Sequence, residues 1–139
     1  METFTVFSTT ADVGIKIQGE GYSGLYQSAI KGINLLLFGD KAGELAGPGS
    51  QIHPFDFTGD SAENVLVNLL SEVVFLLQSR ARITTGLDIK KISEAYLRAD
   101  LQLCDARIEP GMEIKSVTYH NLKIIGQDGI KSAEIIFDI

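Results

Sequence analysis

The sequence predicts an α+β fold: a single domain with a mostly antiparallel or mixed β-sheet and two amphipathic helices packed on it. Three patterns lead there. Apolar and polar residues alternate with a period of two near both ends of the chain. Two internal stretches carry apolar residues at helical spacing. Clusters of Gly, Pro and Asp punctuate the segments between them.

Residues 3–9 alternate around Phe4 and Val6, and Val13, Ile15 and Ile17 alternate with Gly14, Lys16 and Gln18, so two strands open the chain. Gly19 and Gly21 end the second strand. Tyr22, Tyr26, Ala29, Ile30, Ile33 and Leu37 then recur at helical spacing, with Ser23 the expected N-cap and Gly39 the expected stop. A connection over 41–50 bears Gly and Pro and leads to a strand over 52–57, which Pro54 assigns to a sheet edge. Asp60-Ser61-Ala62-Glu63 has the form of a capping box with Asp at the cap, and Leu66, Leu69, Leu70, Val73, Leu76 and Leu77 supply the apolar face of the helix behind it.

Further on, Ala95, Leu97, Ala99, Leu101 and Leu103 alternate with polar residues as in a strand buried on one face. Glu109-Pro110-Gly111 marks a turn, 113–125 is a β-rich run, and Gln127-Asp128-Gly129 turns the chain into a final strand over 132–139. The last two strands are expected to form a hairpin.

With 139 residues, 45% of them hydrophobic and 22% charged, the chain has the composition of one folded domain spanning 1–139, and no repeat or linker divides it. The net charge of −6 argues against direct nucleic-acid binding, which relies on clustered Lys and Arg to release counterions. Cys104 is the single cysteine, has no partner for an internal disulfide, and reads as a buried structural thiol. With no basic leader followed by an apolar stretch and no apolar run of bilayer length, the expected location is the cytoplasm, away from any membrane.

Familiar catalytic motifs are missing: no Gly-rich phosphate loop, no Cys/His set with zinc spacing, and only two histidines, His53 and His120, from which to build a hydrolase triad. His120 reads as a half-buried sheet residue, and Glu72 as a helix residue facing solvent or pairing locally. Chemistry concentrates instead at the two ends. Asp12 follows the first strand-like segment, and Asp138 precedes Ile139 at the finish. If the first and last strands are neighbours, Asp12, Asp138 and the terminal carboxylate of Ile139 converge into a set of hard oxygen donors suited to Mg²⁺, Mn²⁺ or Ca²⁺.

Three separated motifs in this order resemble the archease family: Thr10-Ala11-Asp12-Val13-Gly14-Ile15, Glu113-Ile114-Lys115-Ser116-Val117-Thr118-Tyr119-His120, and Phe137-Asp138-Ile139. The leucine-rich helix with its internal Glu72 fits the same family, so the resemblance spans nearly the whole chain. It implies a non-catalytic protein that activates an RtcB-type RNA ligase, promoting the metal- and GTP-dependent guanylylation of that enzyme in tRNA splicing or RNA repair. It further implies that Asp12, Asp138 and Ile139 hold a divalent metal, and that Lys115 offers a mobile cation to a phosphate or to a carboxylate of the partner.

One departure stands out. Where the family usually reads Asp-His-Thr-Ala-Asp, this chain reads Ser8-Thr9-Thr10-Ala11-Asp12, so hydroxyls replace a carboxylate and an imidazole. Hydroxyls are neutral, weak ligands, and the substitution predicts weaker cation attraction if that pair serves the metal. Two other functions are compatible with the same residues: a small metal-dependent phosphohydrolase or nucleotide-binding enzyme, and a chaperone-like modulator of RNA-processing proteins. The lack of a general-base candidate spaced near the carboxylates speaks against an independent enzyme.

Overall fold

The structure, a computed structural model, describes residues 2–8, 12–45 and 51–139. Eight strands among them form two antiparallel sheets. β1 (Thr3–Ser8), β2 (Asp12–Glu20), β8 (Ile130–Asp138) and β6 (Ser116–Val117) lie in that order in the larger sheet, with β7 (Ile125–Gln127) also paired to β8. β3 (Gln51–Thr58), β5 (Tyr96–Asp105) and β4 (Arg82–Ser93) form the smaller one. Helices α1 (Gly21–Phe38) and α2 (Ala62–Arg80) each pack on strands of both sheets. The fold is therefore α+β, as the patterning predicts.

One apolar core joins these layers. Ile15 and Ile17 of β2 and Ile135 and Phe137 of β8 project from the larger sheet, Leu97 and Leu101 from the smaller, and Leu25, Ile33, Leu66, Leu69 and Leu70 from the helices between. Polar side chains of α1 also reach the edge of β4: Asn34 Nδ2 donates to Thr84 O at 2.8 Å and Gln27 Nε2 to Leu87 O at 2.7 Å. Carbonyls that would otherwise form an open sheet edge are paired in this way.

Both helix starts differ from the sequence expectation. Strand β2 continues through Gly19 to Glu20, and α1 begins at Gly21, so Ser23 lies inside the helix and is not its cap. Gly21 has φ +59° and donates its N–H to Gly129 O at 2.9 Å, so the turn between β7 and β8 supplies the partner that a capping side chain would have given. At α2 the cap is Ser61, one residue later than the expected Asp60. Its Oγ accepts the N–H of Asn64, and Asn64 Oδ1 accepts the N–H of Asp60, each at 3.1 Å. A reciprocal box does form, but with Asn64 in the role expected of Glu63.

A 3₁₀ turn over Gly39–Leu45 runs into the 41–50 connection, whose 46–50 part lies outside the described residues. Strand β3 is an edge strand, as Pro54 requires. Strand β4 is not legible in the sequence. Its pairing with β5 shifts register between Thr84 and Gly86 and again between Ile89 and Lys91, and each shift breaks the two-residue alternation that reveals a strand.

The β-rich run expected over 113–125 is also corrected. Only Ser116–Val117 is strand there, with Ile125 opening β7, and side chains of α2 tie down much of the intervening chain. Glu63 Oε2 accepts the N–H of Ile124 at 2.9 Å and Asn64 Nδ2 donates to Tyr119 Oη at 2.6 Å. The β7–β8 hairpin forms as predicted, through Asp128 and Gly129, both at positive φ, the conformation that a two-residue primed turn demands.

A close approach of β2 to the first turn of α1 yields one prediction. A Cβ at Gly19 would stand 2.2 Å from the carbonyl carbon of Gly24, a backbone atom that cannot rotate away. Gly19→Ala is expected to cost about 2–3 kcal/mol and to lower the thermal midpoint by roughly 6–12 °C. Calorimetric melting of the two proteins checks it, and an unchanged midpoint would show that strand and helix separate freely there.

Candidate metal centre

Antiparallel pairing of β2 with β8 places Asp12 directly opposite Asp138. The neighbour of the last strand is thus the second strand, and β1 lies outside it as the sheet edge, a correction to the expectation that first and last strands adjoin. Directly opposed residues on antiparallel strands share a face with Cβ atoms about 5 Å apart.

Like charges set opposite each other destabilise a sheet, and a divalent cation between them converts that repulsion into attraction. Both groups are hard oxygen donors, so the set fits Mg²⁺, Mn²⁺ or Ca²⁺ and does not favour softer metals. Ile139 follows Asp138, is 40% exposed, and can add a main-chain oxygen. Among the described residues no group of three or more His, Cys, Asp or Glu side chains gathers around a common point. Such an ion would complete its shell with main-chain oxygens, water or groups from another molecule.

The opposite flank of Asp138 is built by β6. Ser116 is its register partner and donates Oγ–H to Asp138 Oδ2 at 2.9 Å, while the N–H of Lys115 donates to Asp138 O at 2.8 Å. Lys115 is thus joined to the end of β8 through its main chain, and its residue is exposed to solvent. Ser116 is the residue that sequence reasoning passed over. Its hydroxyl was visible in the motif, but nothing local indicates that it faces Asp138.

The remaining candidates lie elsewhere. His53 of β3 pairs with Glu72 of α2 through Nε2 and Oε2 at 2.9 Å, a contact between two elements where the sequence suggested solvent or a local partner for Glu72. His120 is exposed and not half-buried. Cys104 is half-buried, and burial raises its thiol above the ordinary range, with Asp105 adding to the effect, which favours the thiol over the nucleophilic thiolate. Of the departing motif, Ser8 ends β1, whereas Thr9, Thr10 and Ala11 lie outside the described residues.

Taken together, these features define a small α+β protein with an acidic pair at one end of its main sheet and hydrogen-bonded supports around it. The chain belongs to the archease family: the sequence model of the Archease protein family matches residues 4–139. Among curated relatives, protein archease of Thermoplasma acidophilum is 30% identical over 99% of this chain and 94% of its own length. That of Pyrococcus abyssi is 25% identical over 100% of both. Two solved structures share the fold. The solution structure of Methanobacterium thermoautotrophicum protein 1598 has a TM-score of 0.71 at 22% identity, covering 98% of each chain. The crystal structure of a Thermotoga maritima archease, described as a possible chaperone, has a TM-score of 0.64 at 20% identity and covers 96% of this chain and 94% of its own.

Proposed function

We propose that this protein is a non-catalytic activator of an RtcB-type RNA ligase, working through a divalent cation held by Asp12, Asp138 and a main-chain oxygen of Ile139. The observation that carries the proposal is the register of β2 against β8, which sets the two carboxylates opposite each other at the end of the sheet. Membership of the archease family supports the partner class. The whole chain, 1–139, acts as one archease-like domain in this reading, and its place of action is the cytoplasm. Among the described residues no helix is long and apolar enough to cross a membrane.

A cation bound there supplies a positive centre for phosphate oxygens of the nucleotide consumed in guanylylation. The chain's own residues do the rest: the two aspartates set the position, Ser116 orients Asp138, and the exposed Lys115 offers its ammonium to a phosphate or a carboxylate of the ligase. The net charge of −6 fits a role in which RNA stays on the ligase and this protein touches only the enzyme.

The test is guanylylation of the ligase from the same source, followed with labelled GTP and Mg²⁺ or Mn²⁺, with and without this protein. A rise of at least about tenfold in rate on its addition is expected, and no turnover of GTP by this protein alone. GTP hydrolysis by the isolated protein, dependent on Asp12 and Asp138, would favour the metal-dependent phosphohydrolase instead.

A further inference from the structure

We propose that Gln78, on the last turn of α2, is a positioning residue for this acidic tip, acting through Ile114, Lys115 and Ser116 on Asp138. The inference rests on the metal reading above and adds to it a device in the opposite element of the fold. The Gln78 side chain clamps both main-chain groups of one residue: its Oε1 accepts the N–H of Ile114 at 2.8 Å and its Nε2 donates to Ile114 O at 3.0 Å. A carboxamide used in this way takes the place of a neighbouring strand.

The clamp matters because of what lies on either side. Residues 106–115 contain neither helix nor strand, so Ile114, 1% exposed, has no ladder to pair its buried backbone groups. Its side chain is fixed in the core and its main chain by Gln78. The next two residues make the contacts to Asp138, through the Lys115 N–H and the Ser116 hydroxyl. Strand β6 has only two residues and cannot hold register by itself. Its downstream anchor is Thr118, whose N–H and Oγ1 both donate to Ile136 O, at 3.0 and 2.9 Å. Its upstream anchor is Gln78.

Hydrogen-bond partners outside the ligand set typically control metal affinity by about 10–100-fold, because they fix the orientation of the ligand carboxylate. Gln78→Leu removes both bonds and frees residues 114–116 to shift relative to β8. Ser116→Ala removes the last link alone, at an exposed site. Gln27→Leu provides a control: it deletes a comparable carboxamide-to-backbone bond, to Leu87 O, between α1 and β4. A purely structural effect of losing such a bond would appear equally in Gln27→Leu, whereas a positioning effect would not.

The experiment titrates Mn²⁺ and Ca²⁺ calorimetrically into the parent and the three variants, with amide hydrogen exchange measured on each. Gln78→Leu and Ser116→Ala are expected to weaken ion binding about tenfold or more, and Gln27→Leu to leave it unchanged. In Gln78→Leu the amides of Ile114 and Lys115 should exchange at least about tenfold faster while those of Ile15 and Ile17 keep the parent's protection. Parent-like ion affinity in Gln78→Leu would overturn the inference and leave the metal site standing. A parent that binds neither ion would remove the metal reading and this inference with it. If Gln78→Leu loses protection throughout β2, Ser116→Ala decides, and parent-like affinity in that variant overturns the inference.

Discussion

Asp12→Ala and Asp138→Ala are each expected to lower divalent-ion affinity by at least about 100-fold, more than the loss of an outer hydrogen-bond partner, and to abolish ligase activation without unfolding the protein. Two effects on stability oppose each other. Removing one aspartate relieves the repulsion between two charges placed directly opposite. Removing Asp138 also breaks its bond from Ser116, worth about 1 kcal/mol. Both positions lie outside the buried core, where substitutions usually move stability by about 0.5 kcal/mol or less.

The melting temperature of either variant without metal should therefore stay within about 3 °C of the parent's. Asp138→Asn, which keeps one neutral oxygen donor and the shape of the side chain, should fall between parent and alanine variant in ion affinity. Melting, metal titration and guanylylation rate measured on the same preparations check all three. A variant that melts with the parent and still activates the ligase fully would remove that aspartate from the site.

Phe137→Ala is expected to have the opposite profile, with a large loss of stability. Phe137 is fully buried in the core and pairs in register with Val13 of β2 and Val117 of β6, near the end of β8 and between those two strands. Truncating a buried phenylalanine costs about 3–5 kcal/mol through lost burial and the cavity left behind. Against a total stability of about 5–15 kcal/mol, the melting point should fall by roughly 10–20 °C. Because Phe137 directly precedes Asp138, the same variant should also weaken ion binding, and Phe137→Leu should recover most of both losses. Thermal melting and metal titration of the two variants test it. Equal stability of Phe137→Ala and the parent would mean that the end of β8 is not packed as described.

The sequence by itself determined the parts of this protein that depend on near neighbours. The leucine face of α2, the stop of α1 at Gly39, the edge position that Pro54 imposes on β3 and the Asp128-Gly129 hairpin all follow from spacing and turn chemistry within a few residues. Asp12 and Asp138 stood out because each adjoins a strand-like segment, and the resemblance to the archease family pointed to the same two residues. What a different part of the chain supplies was not legible. Gly129 O meets the start of α1, Glu63 leaves its expected capping role to bind Ile124, and two bulges hide β4 until β5 is laid beside it.

Only the tertiary structure decided that β8 enters between β2 and β6. That insertion sets Asp138 between Asp12 on one side and Ser116 on the other, with Gln78 holding the outer flank. The physical reason is that strand order and register are chosen by burial over the whole core. Ile15, Ile17, Ile135 and Phe137 must share one face against the helices, and that requirement, spread across both ends of the chain, fixes which polar residues meet on the other face.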